Sequence, residues 1–587
     1  MKVLMTGNEA IARGAFEYGV LVAAAYPGTP STEILENIAQ YKEIRGQWSP
    51  NEKVAMEVGV GAAIAGARSL VAMKHVGVNV AADPLFTVSY TGINGGLVLV
   101  SADDPGMHSS QNEQDNRIYA RFAKVALLEP SDSQECKDFL GLALEISEKF
   151  DTPVMLRTTT RVSHSKSLVE LGEPMPRQAK PYEKNAKKFV AVPAHARMRH
   201  VEVEKRLAAL AEYADNCPVN RIEWGDKRIG IITSGICYQY VREALPNASV
   251  LKLGMTNPLP INLITRFASE VDELWVVEEL EPLMEEQINA AGIPCMGSQG
   301  CIPFYGKDLL PRIGELSPSI LREQILGEVH ETPVQPAEVP MRPPVLCPGC
   351  PHRGVFYTLK QLKLTVNGDI GCYTLGAMAP LDAMDTTICM GASIPMALGF
   401  EKAHPEMADK TVAVIGDSTF LHSGITGLMD IVYNGGTSTV MILDNSITAM
   451  TGHQDNPATG RNLHREETNK VDIAAICRAI GVKRVREVDA YDLASLKQAV
   501  SEEVAVREPS VIIVRRACAL IVKQDGSQVR VNHDKCTGCR ACMRIGCPAI
   551  SHKDRKSTIN PALCVGCAVC VQVCRFNAMV KEGGNNA

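Results

Sequence analysis

TVAVIGDS, residues 411–418, and its companion TVMILDNS, residues 439–446, decide the fold of most of this chain. Each is an apolar run that stops at polar residues, Gly416-Asp417-Ser418 in the first and Asp444-Asn445-Ser446 in the second. Such runs alternating with helical stretches predict a mostly parallel α/β sheet. Open sheets of this kind place ligands at the carboxyl ends of their strands. A glycine there lets the backbone approach a diphosphate. Asp417 and Asn445, 28 positions apart, offer a carboxylate and an amide oxygen, both hard donors to Mg²⁺. The competing reading is a pair of ordinary strand-end turns in which Asp and Asn bond their own backbone.

Toward the C-terminus stand CTGCRACMRIGC (536–547) and CVGCAVCVQVC (564–574). Each block sets three thiolates two residues apart, so one tight turn can grip three corners of a 4Fe–4S cube. The blocks resemble bacterial two-cluster ferredoxins, in which the fourth ligand comes from the other block. That resemblance implies one cube on Cys536, Cys539, Cys542 and Cys574, and another on Cys547, Cys564, Cys567 and Cys570. Four residues, Met543 to Gly546, follow the third cysteine of the first block where the family has three, and Arg575 stands where the family has proline. A zinc ribbon would not need the third cysteine of each triplet; a disulfide knot is the other alternative.

The chain has 587 residues, 45% hydrophobic and 21% charged, enough for three or four cores. Its net charge of −6 and lack of a long basic run exclude nucleic acid as an expected partner. The start, MKVLMTGNEAIARG, does not read as a signal peptide, and no apolar run approaches membrane-spanning length. Nineteen cysteines in such a chain predict reduced thiols and metal, not disulfides, in a cytoplasmic protein; the oxidative fragility of exposed iron–sulfur cubes, not the composition, adds the expectation that it works where oxygen is scarce.

Residues 1–180 alternate apolar runs (VLVAAAYPG, GGLVLVSADD, TPVMLR) with Ala/Gly-rich helical stretches. A charged helix around His200–Tyr213 leads into a second α/β block from RIGIITSG. The proline-rich ETPVQPAEVPMRPPVLCPGCP links it to a third, which holds the two strands quoted first and PSVIIVRRA. The string GVGAAI is a broken dinucleotide fingerprint, with Ile64 where glycine belongs, and reads as a tightly packed helix.

The spacing of Gly416-Asp417-Ser418 and Asn445 resembles the thiamine-diphosphate motif, with Ser418 replacing its second glycine. Combined with the ferredoxin-like tail, the chain resembles the 2-oxoacid:ferredoxin oxidoreductase superfamily over nearly its whole length. Ala449-Met450-Thr451-Gly452-His453-Gln454 matches the superfamily's SNTGGQ-like loop, and Tyr26-Pro27-Gly28-Thr29-Pro30-Ser31 its YPxTPS motif. The resemblance implies three thiamine-enzyme-type α/β domains plus a C-terminal α+β ferredoxin domain. They are a pyrimidine-binding domain at 1–180, a transketolase C-terminal-like domain at 181–330 preceded by a linker helix, a diphosphate-binding domain at 340–522, and the two-cluster domain at 525–587.

It also implies thiamine diphosphate held through Mg²⁺ by Asp417, Asn445 and the carbonyl of Ile447, with Gly416, Ser418 and His453 beside the cofactor. A glutamate must face the aminopyrimidine for proton exchange; Glu52 precedes GVGAAIAGAR at the matching offset, and Glu57 is its rival. Thr29, Ser31, Lys74 and His75 fall at the substrate end. Cys347, Cys350, Cys372 and Cys518 are implied to hold a third, proximal cube, with a four-cysteine zinc site as the alternative. Cys389 and Cys477 read as small core residues, and Cys136, Cys217, Cys237, Cys295 and Cys301 show no ligand spacing.

The domain order looks like the large subunit of the arylpyruvate (indolepyruvate) branch. There a separate small β subunit supplies the γ-type domain, two α and two β subunits assemble, coenzyme A takes the acyl group, CO₂ leaves and external ferredoxin takes the electrons. Pyruvate or 2-oxoglutarate as substrate, and an electron-carrying subunit without catalysis, are the alternatives.

Overall fold

The computed structural model describes residues 1–295, 301–328, 339–340, 342–523 and 525–583, in two compact units, Met1–Pro336 and Ala337–Ala587. In the first unit a seven-stranded sheet runs Met255–Asn257, Ala126–Leu128, Val154–Thr159, Leu97–Asp103, Ser69–Lys74, Val22–Ala25, Arg45–Trp48. All neighbours pair in parallel except the edge strand Met255–Asn257, which is antiparallel to Ala126–Leu128. Every residue of Ser69–Lys74, Leu97–Asp103 and Val154–Thr159 is buried, as strands covered on both faces must be. The helix Glu52–Ile64 lies close on the sheet: a Cβ on Gly59 would come 2.3 Å from Val71 Cγ2. The GVGAAI string therefore serves close helix–strand packing.

A second sheet of this unit is ordered Phe304–Tyr305, Glu273–Val277, Asp226–Ser234, Ala248–Leu253, Arg221–Glu223, with only the last strand antiparallel. Buried charge joins it to the first. Arg117, 1% exposed, donates to Asp115 Oδ2 at 2.6 Å, to Glu278 Oε2 at 2.5 Å and to the carbonyls of Glu279 and Glu281 at 2.9 Å. Within the first sheet Arg157 reaches Asp103 and Glu129, both at 2.6 Å.

The second unit holds a five-stranded, wholly parallel sheet in the order Thr365–Asn367, Thr411–Gly416, Thr439–Asp444, Ser510–Arg515, Arg484–Asp489. The strands are in register, Gly416 opposite Leu443 and Asp444 opposite Arg515, so their carboxyl ends share one edge. The tail adds two short antiparallel pairs, Gln528–Val531 with Met579–Glu582 and Ile550–Lys553 with Lys556–Ile559. Val529, Ile545, Ile550, Val569, Val573 and Met579 form its small core together with Cys542 and Cys570. Gln572 fastens the tail to the larger domain, bonding the backbone of Leu493 (3.0 Å) and Tyr491 (2.7 Å).

Two expectations about cysteine are corrected. Cys295 and Cys301 are joined as a disulfide, where composition predicted reduced thiols throughout. Cys389 is exposed and not a core residue, because its segment falls outside any helix or strand, whereas Cys477 is fully buried in the helix Ile473–Ile480. Among the described residues no helix is long and apolar enough to cross a membrane.

Arg117→Met should strand Asp115 and Glu278 as buried carboxylates without their cation. A loss of about 3–5 kcal/mol is expected, read as a lowered urea midpoint; an unchanged midpoint would show that the network does not join the two sheets.

Candidate functional site

The strand Thr411–Gly416 delivers Asp417 to its carboxyl end, where a helical run begins that continues through a π turn at Phe420–Gly424 to Tyr433. Asp417 is 2% exposed. Burial, and then repulsion from Asp444, push its carboxyl up to about 7, while Asn456 Nδ2 donates to its Oδ2 at 3.3 Å. The neighbouring strand, Thr439–Asp444, brings in Asn445. In one orientation of its amide Asn445 donates to the Ile447 carbonyl at 2.7 Å and to Asp417 Oδ1 at 3.1 Å; in the other its own oxygen faces those same two oxygens. Three oxygens spaced in this way match an edge of about 3 Å in an octahedron whose metal–oxygen bonds are about 2.1 Å. The residues fit a Mg²⁺ ion.

Around them, Thr448 Oγ1 donates to Ser418 Oγ at 3.0 Å. A Cβ on Gly416 would meet Tyr373 Cε1 at 2.7 Å, so this glycine makes room for a ring. The hydroxyls of Tyr373 and Thr419 both donate to the Ile370 carbonyl, at 2.9 and 3.0 Å, two residues before Cys372. Asp369 braces that turn by accepting from the backbone of Gly391 (2.8 Å) and Ser393 (3.0 Å). His453, at φ +69°, turns Nε2 to 4.0 Å from Cys518 Sγ, and the Cys518 N–H donates to the Asn445 carbonyl at 2.9 Å.

The four proximal cysteines are electrostatic neighbours. Burial first, then Cys518 and Cys347, pushes the Cys372 thiol up to about 11. Burial, with Cys372 and Cys347 contributing, pushes Cys350 up to about 12, and Cys518 is raised by burial and by Cys347. In the tail Cys570 is raised by burial and then by Cys567, Cys547 and Cys564, and these four line one small pocket with Cys350 and Arg353. Cys542 is raised by burial, with Cys536 and Cys539 contributing; Cys574 Sγ accepts from the Ala578 N–H at 3.3 Å. Thiols crowded so that each opposes its neighbour's ionisation are a donor set that cationic iron satisfies. Among the described residues no three His, Cys, Asp or Glu side chains converge as one ion would need; a cube takes one thiolate at each of four irons.

In the first unit Glu52 is buried at the start of its helix, behind an Asn51 cap that accepts from the Val54 N–H at 2.9 Å. Gly77 is the close neighbour of its carboxylate, since a Cβ there would lie 2.8 Å from Oε1. Glu57 is exposed and paired with Lys53, which separates it from its rival. Lys74 Nζ donates to the Ser109 carbonyl at 2.6 Å, and burial pulls its ammonium down to about 8. His75 is fully buried; Nε2 lies 3.3 Å from Asn112 Oδ1, and Nδ1 has no partner among the described residues. Ser109 Oγ donates to the Thr29 carbonyl at 3.4 Å, so one loop gathers Thr29, Lys74 and His75. Ser31 spends its hydroxyl proton on the Gly28 carbonyl at 2.8 Å and has only an acceptor left. Asn456, Asp369, Ser109 and Asn112 were not expected here. Their spacing follows no motif, and only the fold brings them in.

Comparison with known proteins agrees with this layout. The family model described as "Pyruvate flavodoxin/ferredoxin oxidoreductase, thiamine diP-bdg" matches residues 13–211, "Thiamine pyrophosphate enzyme, C-terminal TPP binding domain" matches 369–514, and "4Fe-4S binding domain" matches 557–580. Thiamine diphosphate and iron–sulfur clusters are thus the cofactors of these domains. A 2-oxoglutarate synthase subunit KorA from Archaeoglobus fulgidus is 24% identical, over 52% of this chain and 96% of its own length. A solved 2-oxoglutarate:ferredoxin oxidoreductase from Magnetococcus marinus is 17% identical with a TM-score of 0.46, covering 56% of this chain and 65% of that one. The indolepyruvate oxidoreductase subunit IorA of Pyrococcus horikoshii is 42% identical across 99% of this chain and 97% of its own length, and that of A. fulgidus is 41% identical across 100% and 98%. The chain belongs to the IorA family of 2-oxoacid:ferredoxin oxidoreductase subunits.

Proposed function

We propose that this chain is the catalytic large subunit of an indolepyruvate:ferredoxin oxidoreductase, which converts arylpyruvates and coenzyme A to aryl-acetyl-CoA, CO₂ and reduced ferredoxin. Kinship over nearly the full length supports the reaction class, and the oxygens of Asp417, Asn445 and Ile447 within 2.7–3.1 Å support a working thiamine site. Thiamine diphosphate supplies the electron sink for decarboxylation when bound. Asp417, Asn445 and the Ile447 carbonyl hold its Mg²⁺, with Gly416, Ser418 and His453 beside them. Glu52 exchanges a proton with the pyrimidine N1′, while Thr29, Lys74 and His75 receive the oxoacid carboxylate and Ser31, its proton held by the Gly28 carbonyl, fixes the turn beside them. Cys347, Cys350, Cys372 and Cys518 hold the proximal cube, and the eight tail cysteines hold two more. A small β subunit supplies the γ-type domain in an α₂β₂ assembly.

Viologen or ferredoxin reduction with coenzyme A against a panel of 2-oxoacids tests the reading. Indolepyruvate and phenylpyruvate should lead pyruvate in kcat/KM, and Thr29→Ala and His75→Ala should raise KM for them. Pyruvate or 2-oxoglutarate as the better substrate would remove the arylpyruvate assignment and leave the reaction class standing.

Anaerobic analysis should give roughly twelve iron and twelve sulfide per chain. A value near eight would mean that the Cys347/Cys350/Cys372/Cys518 set carries no cube.

Glu52→Gln should keep thiamine bound and slow turnover by about 10²–10⁴, whereas Asp417→Ala should abolish diphosphate binding. The Asp417 carboxyl, raised to about 7 when folded, makes protons compete with the metal. Mg²⁺–thiamine diphosphate affinity by calorimetry should therefore fall about tenfold per pH unit below about 7 and level off above it. In the metal-free protein the same shift costs stability progressively as pH rises from about 4 through 7. A flat affinity profile from pH 5.5 to 8 would exclude Asp417 as the ligand.

A further inference from the structure

Arg353 stands three residues beyond Cys350, in the first turn of the helix His352–Leu362, and is 3% exposed. Its Nε donates to the Cys347 carbonyl at 3.0 Å. Its Nη1 donates to the Ile545 carbonyl at 3.3 Å and also to that of Gly546, the two residues ahead of Cys547. Nη2 is buried with no hydrogen-bond partner among the described residues. The side chain shares its pocket with Cys350, Cys547, Cys564, Cys567 and Cys570. Burial disfavours its charge, and the thiolates of Cys547, Cys350, Cys347 and Cys567 favour it. One cation thus faces sulfurs of two separate sets, with an N–H group left over. A carboxylate would satisfy such a group in an ordinary buried ion pair; here no carboxylate is bonded to it, and thiols surround it.

We propose that Arg353 is a positioning residue for electron transfer, whose single buried charge is shared by the Cys347/Cys350/Cys372/Cys518 cube and the Cys547/Cys564/Cys567/Cys570 cube and holds both reduction potentials up together. The inference rests on the reading that both sets carry cubes. A reduced cube bears one more negative charge than an oxidised one, so a desolvated cation beside it favours reduction. A guanidinium cannot shed its proton in a protein, so an electron leaving one cube reaches the other with no proton transferred and no bond broken. Because the same charge lowers the cost of reduction at both stations, neither becomes a trap for the electron relative to the other.

The test is a redox titration of the full enzyme followed by electron paramagnetic resonance, with iron counted on each sample. Arg353→Gln should keep its iron and make two of the three cubes about tenfold harder to reduce, about 59 mV for one electron, while the Cys536/Cys539/Cys542/Cys574 cube stays in place. Arg353→Lys, which keeps the charge, should leave all three close to wild type. Unmoved potentials in Arg353→Gln with full iron, or an equal shift of all three cubes, would overturn the inference. So would a shift in Arg353→Lys as large as in Arg353→Gln, or iron loss from both variants, which would make Arg353 only a clamp between loops. Should Arg353→Gln alone lose iron, Arg353→Lys carries the test, and a tenfold shift in it overturns the inference. Wild-type iron near eight per chain would instead sink the three-cube reading on which the inference rests.

Discussion

Burial at 2% exposure and repulsion from a second carboxylate push the Asp417 carboxyl up to about 7, and Asp417 is placed in that position by the strand that carries it. Nothing in the strand itself could be changed to relieve this. Thr411–Gly416 is buried throughout and parallel to neighbours on both sides, so the first residue free to turn outward is Asp417. The adjacent strand ends one turn later with Asn445 and Ile447, whose oxygens close the set. The register of one parallel ladder therefore fixes where these oxygens gather, and the desolvation of one side chain, with Asp444 beside it, sets how far its carboxyl is raised.

The same turns hold two of the cysteines in place. Cys518 hangs from the Asn445 carbonyl by its backbone N–H, and the Ile370 carbonyl, two residues before Cys372, is held by Tyr373 and Thr419. Two of the four proximal thiols are thus anchored to the residues that flank the metal-binding oxygens. Arg353 repeats this one step further out, tying the Cys347 loop to the segment ahead of Cys547.

The parts legible in the sequence were those encoded locally. Apolar runs of five or six residues gave the buried strands, and cysteine spacing marked the two tail blocks that expectation assigned to cubes. What escaped reading depends on contacts between distant segments. Gly416 suggested a diphosphate cradle, but the atom that forbids a Cβ belongs to the Tyr373 ring. Met255–Asn257 lies in the second sequence block yet pairs with the first sheet, because three residues carry too little pattern to declare a partner. Ser31 looked like a donor until the turn claimed its proton for Gly28. Composition could not foresee that Cys295 and Cys301 pair with each other, or that Cys389, in an apolar stretch, is exposed.

Buried charge takes two forms in this protein, and the difference separates architecture from chemistry. In the first unit Arg117 meets Asp115 and Glu278, which ties the two sheets together, and Arg157 meets Asp103 and Glu129 within the first sheet: opposite signs at 2.5–2.6 Å. Their mutual attraction offsets the cost of leaving water, so no ligand is needed. At the carboxyl edge of the second unit's sheet and in its tail, like groups are brought together: Asp417 against Asp444 (itself paired with Arg515 at 2.9 Å), Cys372 against Cys518 and Cys347, and Cys570 against Cys567. Like groups kept together in low dielectric raise one another's pKa, and folding gains nothing by it. Burial beside like neighbours holds these groups toward their neutral, protonated forms, and a cation placed among them would reverse that. The same criterion singles out one place in the first unit, where Lys74 is drawn down to about 8 next to a fully buried His75 with an unpartnered Nδ1. There Asp104 opposes the shift on Lys74, and Asp103 and Asp104 oppose the shift on His75, so burial outweighs carboxylates that already stand beside the pair.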